Sequence, residues 1–275
     1  MLVTVGTRAG AALEALLGWR YFVGAALLGI LVQLEQVKLP SMDRWLRLFL
    51  LGMIGQGLVA GLGLSALRFI PPATSTFLFY TFPAWVTLFA AIRRIEPITR
   101  RKLIAVALAL SGIAVMVGSP DVMPDYRGVL LAMSAAVVYA IYIPLIERAT
   151  VDVPPVAGAF IVSIGASVAF LGLALISGAL FKPLNATGMV VVLLLAVFGT
   201  TVAFRLFIAG LAVIGPVRTA IISTTEPIST ALLGWAILAQ RPGPSTVAGG
   251  ALIVLAVIVL HLRLQRGHVS GADED

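Results

Sequence analysis

The stretch GMVVVLLLAVFGTTVAFRLFIAGL, residues 188–211, carries one charge, Arg205, in a run long enough to cross a bilayer. A membrane-crossing helix needs about 20 mostly apolar residues. Working outward from this run and cutting at charge and proline clusters gives nine such segments: 20–37, 45–67, 72–92, 101–118, 128–146, 156–180, 188–211, 216–239 and 245–262. They are too long and too continuous for barrel strands, and in hydrocarbon every backbone polar group must find its partner within the protein. The sequence therefore predicts an all-α polytopic membrane protein with short connections.

Composition agrees. The 275 residues are 60% hydrophobic and only 11% charged, against about 25% charged in soluble domains. Soluble enzymes and nucleic-acid binders are excluded, and the net charge of +7 is loop charge beside lipid headgroups. The absence of cysteine, with both histidines (His261 and His268) at the C-terminal edge, removes thiolate chemistry and leaves no histidine metal cluster within the spans. No phosphate loop, Gly-x-Ser-x-Gly or His-Glu-x-x-His pattern occurs, so neither a cofactor nor an enzymatic activity is expected. Lys38, Arg44, Arg47, Arg93, Arg94, Arg100, Arg101, Lys102, Arg148, Arg218, Arg263 and Arg266 fall on one side of the spans. Arg8, Arg20, Arg68, Arg127, Lys182 and Arg241 fall on the other. The positive-inside rule then puts the C-terminus in the cytoplasm. Nine spans would leave the N-terminus, with Arg8 and Glu14, outside.

A shift of 144 residues lays 45–118 over 189–262 without a gap. It pairs Gly55 with Gly199, Pro72 with Pro216, Thr81 with Thr225 and Pro83 with Pro227, and Lys38 falls on Lys182. Many transporters are built from such repeats, with the substrate near the midplane. The same shift sends 128–146 to positions −16 to 2, so the partner of that helix would end where the chain begins. The expectation is two inverted repeats of five helices, the first lacking its first helix. The first repeat then covers 1–118, the second 128–264, and a cytoplasmic tail 265–275.

The residues also resemble a known family. Gly199-Thr200-Thr201 through Ile214-Gly215-Pro216, Thr225-Glu226-Pro227-Ile228, Gly234-Trp235 and Gly249-Gly250-Ala251 is similar to the second EamA-type repeat of the drug/metabolite transporter superfamily. Trp19-Arg20, Ala66-Leu67-Arg68, Phe82-Pro83, Ile95-Glu96 and Ser111-Gly112-Ile113 look like the first. The second half has Gln240 where the first has the acidic Glu96. The resemblance implies ten helices around a central cavity and export of amino acids or other small metabolites across the bacterial inner membrane, with a small-molecule substrate and the lipid bilayer as partners.

Ionisable residues inside a membrane cost about 2.5–3.5 kcal/mol each and mark functional interiors. Arg205 and Glu226 are the two candidates, at depths about 6 Å apart by helical rise. That distance allows an ion pair, either a structural brace or a switch that links proton uptake at Glu226, beside Pro227, to substrate release. Thr219, Ser223, Glu226 and Thr230 share a face if the eighth span is one helix, and Thr76, Tyr80, Pro83 and Thr87 repeat the pattern in the third. Pro83 and Pro227 each free a carbonyl one turn earlier, which suits gates. Tyr139 reads as a cavity residue, Tyr142 as an interfacial aromatic, and Trp85 as facing cavity or lipid. Gln56, near Gly52 and Gly63, faces the cavity or bonds across a close helix contact. Thr201 shares the face of Arg205, and Gly57-x-x-x-Gly61 reads as a packing motif.

Overall fold

A computed structural model describes residues 2–8, 10–94, 97–117, 125–182, 184–229, 232 and 243–261. Among the described residues the regular elements are helices and there is no strand. They are α1 (Leu2–Arg8), α2 (Leu13–Leu34), α3 (Met42–Leu50), α4 (Gly57–Ala66), α5 (Pro72–Phe79), α6 (Phe82–Ile92) and α7 (Arg100–Val117), followed by α8 (Tyr126–Ala149), α9 (Pro155–Ile176), α10 (Ala186–Leu194), α11 (Ala203–Ser223) and α12 (Pro244–His261). Each of the nine expected segments is mostly helical where it is described, and among the described residues six helices are long and apolar enough to cross a membrane. Helix starts follow local chemistry. Proline occupies the first turn of α5 and α9, where its missing N–H costs nothing, and Asn185 caps α10 by accepting from the Gly188 N–H at 2.8 Å.

The first span begins at Leu13 rather than at residue 20. Arg20 is therefore not a boundary charge but sits in the second turn of a helix, which corrects its place among the outer loop cations. The site described below explains how the helix tolerates it.

Two departures from α-geometry repeat at the 144-residue offset. Leu51–Gln56 and Leu195–Val202 are π-helical, which joins α3 to α4 and α10 to α11. The other pair is a break. Tyr80-Thr81 separates α5 from α6, and Thr224-Thr225 follows α11 before helix resumes at Glu226. Pro83 and Pro227 supply the cause, since each lacks the N–H that would bond back across the gap. In both breaks the threonine hydroxyl caps a carbonyl three residues earlier: Thr81 to Leu78 at 2.6 Å, and Thr225 to Ile222 at 2.8 Å. The backbone also turns at Gly215, whose φ of 76° is a left-handed value that glycine tolerates, and Pro216 follows it.

The chain forms two compact units that do not coincide with its repeats. Unit 1 is Met1–Gly61 with Ile141–Gly215, and unit 2 is Leu62–Ala140 with Pro216–Asp275. In unit 1, α2 packs along α9, with Ala15 against Ala174, Gly18 against Leu171 and Tyr21 against Ala166 and Phe170. Gly52 approaches the Val162 backbone and Gly165 that of Phe49 so closely that a Cβ has no room at either. The expected Gly57-x-x-x-Gly61 packing is not used, because a Cβ at Gly57 would meet only Ala169 at 3.6 Å and one at Gly61 nothing within 4 Å. In unit 2, α7 crosses α12 at Gly112 and Gly249, where a Cβ on Gly112 would come 2.6 Å from the Gly249 carbonyl oxygen. Close approach through glycine is how membrane helices gain dispersion contact when hydrophobicity gives no preference for a partner. Large apolar side chains such as Phe198 (63% exposed) and Val213 (82%) point outward, as a lipid-facing surface requires.

Candidate functional site

Unit 1 holds a chain of polar side chains between apolar helices. Arg20 is half-buried. Its Nε donates to Thr200 Oγ1 at 3.1 Å, and its Nη2 donates to the Gly199 carbonyl at 3.4 Å and to the Tyr21 hydroxyl at 3.3 Å. The guanidinium carbon also stands 4.7 Å from the Tyr21 ring centroid, a cation–π contact. Tyr21 donates its hydroxyl to Gln56 Oε1 at 3.4 Å, and Gln56 Nε2 donates to the Tyr142 hydroxyl at 3.2 Å. Gln56 and Thr200 are equivalent under the repeat, and each lies in its π segment. The wider π turn is commonly found at functional positions.

Several expectations change here. Tyr142 is not interfacial: it is 2% exposed, because Gln56 supplies a partner and Gly55 leaves space for its ring. Gln56 bonds across a helix contact. Arg205 is expected beside Glu226; the carboxylate it meets is that of Glu35, Nη1 to Oε1 at 2.7 Å and Nη2 to Oε2 at 3.2 Å. Glu35 ends α2, close enough in unit 1 for Arg205 to form a two-pronged bond, which fulfils its need for a carboxylate. Thr201 is buried, and its hydroxyl donates to the Ala196 carbonyl at 2.9 Å. Because Thr201 lies in the π segment, its four-residue step to Arg205 is no longer a regular α-helical face.

Unit 2 gathers the second set. Tyr80 lies near Glu226, and Tyr139 lies near Tyr80. Tyr139 lies edge-on to Phe82 at 4.9 Å and against Phe79 at 5.4 Å. Tyr80 is buried and Glu226 exposed. Both stand at the paired breaks, where main-chain bonding is already interrupted. Those breaks also split the two polar faces expected from helical spacing. Thr76 is exposed whereas Thr87 is buried and donates to the Pro83 carbonyl at 2.7 Å. Thr219 is buried, and Ser223 donates to the Thr219 carbonyl at 2.9 Å. Trp85 Nε1 donates to Thr81 Oγ1 at 3.3 Å, tying α6 to the break. Thr230, Glu96, Gln240 and His268 lie outside the described residues.

Sequence reasoning missed Arg20, Tyr21, Thr200 and Glu35. One pointer was available: the 144-residue shift aligns Gly55-Gln56 with Gly199-Thr200, so a polar residue after an aligned glycine marks the same depth in both halves.

Apolar spanning helices in two repeats, interrupted at equivalent positions beside ionisable side chains, define a multi-pass membrane protein of the transporter class. The model of the EamA-like transporter family matches residues 3–118 and 126–262, and the chain belongs to that family. Its members are membrane transporters of small molecules. A solved crystal structure superposes on 97% of this chain and 93% of its own, with a TM-score of 0.77 and 22% identity, a likeness of fold. None of the curated proteins matches the chain.

Proposed function

We propose that the protein is a secondary exporter of small zwitterionic or amphipathic metabolites, amino acids foremost, working by alternating access across the bacterial inner membrane with its C-terminus in the cytoplasm. The observation that carries this reading is Glu226, a carboxylate at a helix break, near the buried Tyr80. A carboxylate beside a phenol ring is suited to a primary ammonium, through charge and cation–π attraction together. Discontinuous helices are where transporters commonly bind their substrates, and Pro83 and Pro227 are assigned as the gating positions. Ser223, Thr219, Thr230, Thr76, Trp85, Gln56, Thr201 and Arg205 remain substrate-side candidates, although Arg205 first has to leave Glu35.

Proteoliposome counterflow with amino acids, nucleosides, sugars and organic cations tests the proposal. Exchange of amino acids that falls at least tenfold in Glu226→Ala supports it. Movement of lipid-linked substrates alone would replace it with a flippase, and movement of nothing would favour a structural or sensory protein. Because the chain has no cysteine, His268→Cys gives a clean orientation probe. A membrane-impermeant thiol reagent should label that variant only after the cells are opened.

A further inference from the structure

Arg20 and Arg205 sit on helices of the same unit and are satisfied differently. Arg205 has the Glu35 carboxylate. Arg20 has only neutral acceptors: a threonine hydroxyl, a tyrosine hydroxyl and a backbone carbonyl. Among the described residues no carboxylate pairs with it and no acceptor meets its Nη1. A guanidinium in an apolar helix is costly unless its charge is matched. The protein nonetheless fixes this one firmly. Thr200 and Gly199 hold its Nε and Nη2 side, while the Tyr21 ring and the bonds from Tyr21 through Gln56 to Tyr142 fix its plane. One side of the fork is anchored and the Nη1 side is offered, on a side chain that keeps partial exposure. Such preorganisation suits recognition of an anion rather than structural bracing.

We propose that Arg20 is an oxyanion receptor, its Nη1 donors taking either the carboxylate of the transported solute or the phosphate of an anionic lipid headgroup. In the first case the inference deepens the exporter reading and rests on it, since a zwitterion brings a carboxylate as well as an ammonium.

The test is thermal unfolding of delipidated protein in an uncharged detergent, for wild type, Arg20→Gln and Arg20→Lys. Titrants are sodium acetate and sodium phosphate against chloride at equal ionic strength, and short-chain phosphatidylglycerol against phosphatidylcholine. Wild type should show saturable stabilisation by an oxyanion, weakened about 10- to 100-fold in Arg20→Gln and less in Arg20→Lys, which keeps charge but loses the fork. A response confined to acetate or phosphate identifies a solute, and one confined to phosphatidylglycerol a lipid; both support the receptor. No Arg20-dependent response in either arm overturns it. Should Arg20→Gln not fold, phenylglyoxal labelling of Arg20 in the wild type decides. Labelling slowed at least fivefold by the same oxyanions supports the receptor, and unchanged labelling overturns it. Amino-acid counterflow with an unaltered KM in Arg20→Gln would sink the solute assignment and leave the exporter standing. Arg20-dependent oxyanion binding without counterflow of any amino acid would do the reverse.

Discussion

Replacing Gly165 with alanine isolates how closely α9 must approach the start of the first π segment. The new Cβ would fall on the Phe49 carbonyl oxygen, 2.8 Å from the Met53 nitrogen and 3.0 Å from the Phe49 carbonyl carbon, whereas ordinary contact begins at 3.4 Å. All three obstacles are backbone atoms, so no rotamer change relieves them and the helices must part by roughly an ångström, in the range where overpacking costs about 1–3 kcal/mol. Alanine returns up to about 1 kcal/mol of helix propensity, leaving a net loss of up to about 2 kcal/mol. Gly61→Ala is the control. Nothing lies within 4 Å of its Cβ, so it keeps the propensity gain, and the two variants should differ by the overpacking cost alone, about 1–3 kcal/mol. Unfolding in mixed micelles, followed by circular dichroism, measures this difference. Met53 lies three residues before Gln56 in the same π segment, so Gly165→Ala should also depress counterflow without touching any polar side chain. If Gly165→Ala proves as stable as Gly61→Ala, the close backbone contact is not present in the folded protein.

Three further outcomes are expected. Glu226→Gln should fold, because an isosteric amide replaces an exposed carboxylate, and should exchange solute with a raised KM, since the amide no longer pairs with an ammonium, while losing any response to an imposed proton gradient; normal pH-driven transport by this variant would end a coupling role for Glu226. Pro83→Ala and Pro227→Ala each restore a backbone donor at a break, so unfolding temperature should hold or rise while exchange slows several-fold, and unimpaired exchange in both would remove the gate assignment. The Arg205 and Glu35 side chains are 40% and 37% exposed, so a double-mutant cycle with Arg205→Gln and Glu35→Gln should give a coupling below about 1 kcal/mol. A coupling well above that would make the pair a brace rather than a surface tie.

What the sequence determined by itself is the helical membrane class, the duplication and the two proline-marked breaks. Each follows from a local constraint: hydrocarbon forces backbone hydrogen bonds to close within a segment, so apolar length predicts a helix and a proline predicts its interruption. Only the tertiary structure decided the partners. These helices are apolar on nearly every side, so residue spacing said little about which face meets a neighbour. It did not reveal that Arg205 reaches Glu35 across 170 residues of sequence, or that Arg20 is held by Thr200 and Gly199. The π segments were hidden for a related reason: insertion of an extra residue per turn leaves no compositional mark, yet it rotates Gln56, Thr200 and Thr201 out of the register that 3.6-residue counting assigns. Tyr142 reads as interfacial because it lies near the end of an expected span, and it becomes a buried link because Gly55 makes room and Gln56 offers a donor. Long-range geometry, in which Arg20, Tyr21, Gln56, Tyr142 and Arg205 take the polar partners that packing brings within reach, built the polar network that local sequence could not specify.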